Sequence, residues 1–391
     1  MHLDESAPTE TAQIGDPISD QARYSRQVLF PGIGADGQRR LSTAHAAIVG
    51  CGATGAAAAS LLARAGVGTL TLIDRDFVEP SNLQRQVLFD EADAHASLPK
   101  AEAARRHIAR FNSRVAVQAH VADLVPKNIA ELFAPPNHPH PQIILDGTDN
   151  FETRYLINDY AVQQSIPWIY AAAVGAYAAT MNILPDTQRS GAPSMAQSHR
   201  DMDGNVYCPT ACLSCIFPTP PSGNIDTCDT AGILSTAVNL AASIQVTEAL
   251  KFLTGQPHLM RRSLLSFELW NPEVNGNLSR SEIATGLPRL DCIVCGQRIF
   301  THLAGEGRAP ITLCGRDSVQ IHEHHRPIDF ATLRTRLAAH ADVAEVRSNG
   351  LLLRFRRGAH TLTLFSDGRA IVHGTTDVAV ARSLYARFVG A

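Results

Sequence analysis

The chain, 391 residues long, lacks an uninterrupted apolar run of membrane-spanning length. Its longest apolar stretch, 231–246, is broken by Asn239 and Gln245, whereas a bilayer asks for about 20 apolar residues in a row. No basic patch dominates, and a net charge of −3 argues against a nucleic-acid footprint. The first twenty residues hold Asp4, Glu5, Glu10, Asp16 and Asp20 but neither Lys nor Arg. They lack the basic start and apolar centre of a secretion signal and read as a disordered tail, 1–20. No internal repeat is present. Eight cysteines without a secretion signal point to the cytoplasm, where thiols hold metal or do chemistry rather than pair. The expectation is a cytoplasmic protein that binds neither nucleic acid nor membrane.

What is present suffices for a buried core: 45% of residues are hydrophobic and 18% charged. The length allows two or three domains at about 150 residues each. Strand-like runs at 46–50, 69–74, 115–121 and 143–146 alternate with helical stretches, including 56–65 and 100–111. This alternation predicts an α/β fold with a doubly wound, Rossmann-like, mostly parallel sheet. Further strands are expected at 166–170 and 180–184, then a Ser-, Gly-, Asp- and Pro-rich loop at 185–209 and a second loop at 217–223. A long helix follows at 230–253, with Gly255 as its stop. A boundary after Cys295 divides a first domain, 21–296, from a small C-terminal α/β domain, 297–391. In the latter, helices are expected at 330–339 and 378–388, a hairpin at 351–355 and 361–365, and a strand at 370–373. Cys314-Gly315-Arg316 suggests a sulfur-transferase loop, but the segment is too short for a rhodanese domain; a structural or carrier-docking role is expected.

The strongest local signal is Gly50-Cys51-Gly52-Ala53-Thr54-Gly55. A G-x-G-x-x-G turn between a strand and a helix offers free backbone N–H groups and a helix dipole to an anion. Such a turn alone admits a mere packing turn. The second apolar run ends in Asp74, where a ribose-binding carboxylate belongs, which favours a nucleotide. Downstream, Ser81-Asn82-Leu83-Gln84-Arg85-Gln86 and Lys100 place two cations beside the turn. They suit a triphosphate; hydride transfer needs neither. Thr148-Asp149-Asn150 reads as an Asx-type turn or as a phosphate-site acid.

Two C-x-x-C pairs, Cys212/Cys215 and Cys292/Cys295, match a closed four-thiolate zinc site. Their separation exceeds ordinary zinc-ribbon spacing, so spacing alone leaves buried free thiols as the alternative, with Cys208 nearby as a decoy. Cys228 precedes the long helix, whose N-terminus favours a thiolate, while Asp226 and Asp229 oppose it.

Taken in order, Arg23-Tyr24-Ser25-Arg26-Gln27, GCGATG, Leu72-Ile73-Asp74-Arg75-Asp76, SNLQRQ, Asp146-Gly147-Thr148-Asp149-Asn150 and Cys212-Leu213-Ser214-Cys215 resemble the ThiF/MoeB/HesA adenylyltransferases, bacterial relatives of ubiquitin-activating enzymes. The resemblance runs from Gln21 to Cys295 and continues to the end as in members with a C-terminal extension. One departure stands at Thr54, where the family carries a small or aliphatic residue. The resemblance implies ATP-dependent adenylation of the C-terminal glycine carboxylate of a small ubiquitin-like sulfur carrier ending in Gly-Gly, of the ThiS or MoaD type. Thiamine, molybdopterin and sulfur-containing natural-product pathways all fit. Gly50, Gly52 and Gly55 would admit the nucleotide; Asp74 would hold the ribose, with Asp76 nearby. Ser81, Asn82, Gln84, Arg85 and Lys100 would line the phosphates, and Asp149 with Asn150 the magnesium. Arg26 would reach a partner's site across a homodimer. Zinc would sit on the four paired cysteines, and Cys228 would accept the acyl group or sulfur from a donor such as a cysteine desulfurase or sulfurtransferase. An NAD-dependent oxidoreductase and a non-catalytic scaffold on the same fold are the rival readings.

Overall fold

The computed structural model describes residues 19–135, 140–185, 199–200, 206–207, 209–219, 231–272, 276–305, 318–321, 328–348, 350, 352–365 and 368–389. The large domain opens with α1 (Asp20–Val28), α2 (Gly34–Thr43), β1 (His45–Val49), α3 (Ala53–Ala65), β2 (Thr69–Asp74) and α4 (Glu91–His95). It continues with α5 (Lys100–Phe111), β3 (Ala116–Val121), α6 (Ile129–Phe133), β4 (Ile143–Asp146), α7 (Phe151–Gln164), β5 (Trp168–Val174) and β6 (Tyr177–Ile183). A small strand pair, β7 (His199–Arg200) and β8 (Val206–Tyr207), precedes α8 (Leu213–Ile216), α9 (Ser235–Leu253), β9 (Ser263–Glu268) and β10 (Ser279–Ala284). The C-terminal domain holds β11 (Ser318–Ile321), α10 (Phe330–Ala338), β12 (Ala344–Ser348), β13 (Leu352–Arg357), β14 (His360–Phe365), β15 (Ala370–His373) and α11 (Val378–Phe388).

The main sheet has eight strands in the order β10-β9-β6-β5-β4-β1-β2-β3. β5, β4, β1, β2 and β3 run parallel, and β6, β9 and β10 extend the sheet antiparallel. Every residue of β1 is buried, as a central strand covered on both faces requires. One core lies beneath α3, α5 and α9, and a second beneath α7 and the paired cysteines. Ala56–Ala59 let α3 pack closely on its neighbours; the helix ends at Gly66, whose φ of +83° accepts a left-handed cap. Phe300 and Leu303 pack on the second core, beyond the expected boundary at 296.

The parallel half follows the sequence expectation. α3 starts three residues before position 56, because Gly52 already serves as its cap. The expected strands at 166–170 and 180–184 are longer and form one hairpin turned at Gly175, φ +59°. α9 begins at Ser235 rather than 230, and Gly255, φ +86°, follows its last turn. The interior strand β9 and the edge strands β10, β11 and β12 are not signalled by the sequence. The C-terminal sheet is wholly antiparallel, ordered β11-β15-β14-β13-β12. Among the described residues no helix is long and apolar enough to cross a membrane.

Candidate active site

The glycine turn joins the end of β1 to α3, at the carboxyl ends of the parallel strands where open α/β sheets bind ligands. Gly50 has φ +85°, and a Cβ there would fall 2.5 Å from the Gly147 carbonyl oxygen. A Cβ on Gly55 would fall 1.8 Å from the Gly50 carbonyl oxygen. These glycines are demanded by the protein's own packing. Gly52 differs: a Cβ there would meet only the Gly147 oxygen, at 3.8 Å. Its missing side chain leaves room on the open side of the turn, where a nucleotide backbone would approach. Gly52 caps α3 without a side-chain hydrogen bond, so the first-turn amides remain available to an anion.

Asp74 closes β2 beneath this turn. Its carboxylate accepts the backbone N–H of Cys51 and, at 2.6 Å, that of Asp76. Burial raises its pKa, opposed by Lys100. Burial also pushes the Cys51 thiol up, with Asp74 adding to it, so this buried cysteine stays protonated. Lys100, 3% exposed at the start of α5, puts its ammonium 3.3 Å from Asp76. Its backbone N–H donates to the Asp76 carbonyl at 2.9 Å. Sequence and geometry therefore agree in joining Asp74, Asp76 and Lys100.

The SNLQRQ segment folds as a turn over Pro80–Asn82. Asn82, 1% exposed, accepts the Glu79 backbone N–H at 3.1 Å and fixes the turn. Ser81 and Gln84 are exposed. Arg85 is buried and donates to the Ser81 carbonyl at 2.8 Å. Gln86 is buried with its amide oxygen unpartnered among the described residues.

The Asp146–Asn150 turn faces the same end of the sheet. Asn150 caps α7, accepting the Thr153 N–H at 2.8 Å. Asp149 is exposed and takes a 3.4 Å bond from the Asn150 amide. It contributes with Asp123 and Asp76 to holding the Arg75 guanidinium above its ordinary range, against the pull of burial. Arg75, 3.2 Å from Asp123, was not singled out from sequence. Nor was the buried pair Asp146–Arg154, at 3.0 Å. Arg154 also donates to the Thr148 and Ala171 carbonyls at 2.6 and 3.1 Å. The Gln245 amide donates to the Asp146 and Ile169 carbonyls at 2.9 and 2.8 Å. This network makes the turn rigid; only the quoted DGTDN motif hinted at it.

Arg26 lies apart, exposed in the last turn of α1. Tyr24, two residues earlier, packs on Gly66 at the far end of α3. α3 has 13 residues, about 20 Å at 1.5 Å per residue. Arg26 therefore does not join the phosphate cluster of its own chain. Cys228, Cys208 and Cys314 lie outside the described residues.

The two C-x-x-C pairs do converge. Cys212 Sγ lies 3.9 Å from Cys215 Sγ and 3.6 Å from Cys292 Sγ, and Cys215 Sγ lies 3.3 Å from Cys295 Sγ. Zinc–sulfur bonds of about 2.3 Å in a tetrahedron give sulfur–sulfur edges of about 3.8 Å. The donor set fits zinc. Hydrogen bonds from Cys212 first, then Cys215 and Cys295, drive the Cys292 thiol toward thiolate. The Arg289 N–H donates to Cys215 Sγ at 3.4 Å, and Asn158 on α7 accepts the Leu213 N–H at 2.9 Å. Gly296 permits the second knuckle, since a Cβ there would strike the Leu290 carbonyl at 2.3 Å.

A family model described as the ThiF family matches residues 24–285. The sulfur carrier protein ThiS adenylyltransferase of Bacillus subtilis (strain 168) is 41% identical over 371 residues, covering 94% of this chain and 99% of its own. The probable adenylyltransferase/sulfurtransferase MoeZ of Mycobacterium tuberculosis is 35% identical over 248 residues, and the chain spans only 57% of that protein's length. The SAMP-activating enzyme E1 of Haloferax volcanii is 31% identical, over 70% of this chain and 88% of its own. Among solved structures, E. coli MccB with ATP has the same fold, with a TM-score of 0.51 at 24% identity over 70% of this chain and 74% of its own.

Proposed function

This chain belongs to the ThiF family, and from that premise we propose that it adenylates the C-terminal glycine carboxylate of a ubiquitin-like sulfur carrier. The observation that carries the reading is the union at one sheet end of an anion-ready glycine turn, the Asp76–Lys100 pair and buried Arg85. Identity of 41% along 99% of a ThiS adenylyltransferase supports a carrier of the ThiS type, ending in Gly-Gly.

The carrier's carboxylate is ionised at neutral pH, so the reaction needs no general base. A carboxylate oxygen bonds to the α-phosphorus of ATP while the bond to pyrophosphate breaks, leaving an acyl-adenylate. The protein's part is positioning and charge neutralisation. Gly52 admits the nucleotide and the α3 N-terminus receives a phosphate. Asp74 holds the ribose; Lys100, Arg85 and Asn82 hold the phosphates, with Ser81 and Gln84 at the rim. Magnesium, bound at Asp149 beside Asn150, supplies further positive charge. The distance of Arg26 from its own site supports delivery to a partner subunit in a homodimer, for which exposed Leu29 and Phe30, 70% and 62% accessible, offer apolar surface. Zinc on the four cysteines is structural, as no ligand position is left for water. Cys228 is the proposed acceptor in a later step with a sulfur donor. The reaction belongs to the cytoplasm.

ATP–pyrophosphate exchange against a panel of purified carriers tests the reading. Exchange is expected only with MgATP and a carrier bearing a free Gly-Gly terminus. Nicotinamide-dependent hydride transfer without pyrophosphate chemistry would replace it with the oxidoreductase reading.

A further inference from the structure

The family model ends at residue 285, and the C-terminal domain lies wholly outside it. Its sheet nevertheless touches the nucleotide site from two directions. On one side, Phe77 follows Asp76 directly and bridges to Pro99, which precedes Lys100. Val78 N–H donates to the Leu98 carbonyl at 2.8 Å, so 76–78 and 98–100 form one short ladder. Phe77 is 4% exposed and has two residues of the C-terminal domain against its ring. Arg354 of β13 holds its guanidinium 5.1 Å from the Phe77 ring centre, and His373 of β15 meets that ring edge-on at 6.4 Å.

On the other side, Val121 pairs in register with Asp74. Arg369, 1% exposed in the turn before β15, donates to the Val121 carbonyl at 3.0 Å. Phe365 and Ile371 pack against Val121 beside it. Asp74 and the Asp76–Lys100 pair thus lie between two footholds of one rigid antiparallel sheet.

We propose that the C-terminal domain is a brace for the nucleotide site, with Arg354, Arg369 and His373 as positioning residues that hold the Asp76–Lys100 pair in place through Phe77 and Val121. The proposal rests on the adenylyltransferase reading of that pair. Its chemistry is local: a Phe77 ring free to tilt lets the 76–78 ladder shift against 98–100, and Lys100 moves from the phosphates with it.

Calorimetric titration of the full chain with MgATP tests this without any carrier. Arg354→Ala should weaken MgATP about three- to tenfold, the size of a half-buried cation–π contact, with the melting temperature falling by no more than about 2–4 °C. Arg354→Lys keeps a cation over the ring and should recover most of the affinity. Phe77→Leu should weaken binding similarly, and Arg354→Ala should add little on top of it, because both act through one contact. Undiminished affinity in Arg354→Ala, or full additivity with Phe77→Leu, overturns the brace. Lys100→Ala separates the two ideas. Lost binding there beside normal binding in Arg354→Ala removes the brace and keeps the nucleotide site, whereas normal binding in Lys100→Ala removes both.

Discussion

At the residue scale, two glycines of one motif do different work. Gly55 has the Gly50 carbonyl oxygen where its Cβ would be, at 1.8 Å, whereas a Cβ on Gly52 would make only an ordinary contact, 3.8 Å from the Gly147 oxygen. Gly55→Ala should therefore cost more than about 2 kcal/mol of stability. Gly52→Ala should cost less than about 1 kcal/mol yet abolish MgATP binding. Denaturant melts paired with calorimetry check both; a Gly52→Ala protein that binds MgATP normally would show that no ligand backbone approaches there. Asp159 offers a second residue-scale expectation. One of its oxygens accepts the His302 and Leu303 N–H groups at 2.9 and 3.2 Å, and the other has no partner among the described residues. Burial pushes its carboxyl from 3.8 up to about 6. An acid raised in the folded state destabilises that state while ionised, above about 6, and the penalty lifts as pH falls through that value. Relative to Asp159→Asn, the natural protein should gain about 1 kcal/mol between pH 7 and pH 5. Parallel melts at the two pH values measure it, and a constant difference would place the carboxyl in its ordinary range.

At the element scale, legibility in the sequence followed burial. β1, β2 and β4 are apolar runs buried on both faces, so composition alone marks them. β10, Ser279–Ala284, is an exposed edge strand with polar residues at most positions, and nothing in its composition marks a strand. The Ala171–Ala173 and Ala178–Ala179 segments of the hairpin are too small to signal strand, and their pairing is set by tertiary packing. The motif-borne site residues were legible because turns and charges sit beside glycine. The Asp146–Arg154 pair was not, since burial of a charge depends on what α9 and β5 bring to it. The placement of α1 carries its own prediction. Asn112 donates to Tyr24 Oη at 2.8 Å and Arg23 to the Phe111 carbonyl at 2.6 Å, fixing α1 at the far end of α3. An Arg26→Ala homodimer should lose about 10³-fold or more in exchange rate. Mixing it with Lys100→Ala subunits should restore one working site per mixed dimer. An active Arg26→Ala homodimer would return Arg26 to a surface role, and absence of any recovery on mixing, with exchange of subunits verified, would count against its acting on the partner's site.

At the scale of the whole molecule, the four cysteines bring two distant parts of the chain together, and the zinc proposed for them would make the cluster a clasp. Cys212 and Cys292 stand 80 positions apart, and the chain between them includes α9, β9 and β10. The clasp therefore ties the antiparallel half of the sheet to α7, where Asn158 accepts from Leu213 of the first knuckle and Asp159 from His302, downstream of the second. It lies on the second core, while α3 and α5, which carry the phosphate cluster, bound the first. Zinc in such a site contributes about 10–16 kcal/mol of apparent binding free energy, comparable to the whole stability of a domain. Purified protein should carry one zinc per chain by elemental analysis. Stripping it with a chelator should lower the melting temperature by more than 10 °C or so, since 1 kcal/mol shifts a domain this large by about 2–4 °C. Because the clasp and the phosphate cluster sit on different cores, MgATP affinity should change less than about threefold at temperatures where the stripped protein remains folded. Zinc-free protein as purified, with the four thiols titrating freely in the native state, would leave a cluster of buried cysteines and no clasp. Equal loss of MgATP binding and of fold would instead make the two cores a single cooperative unit.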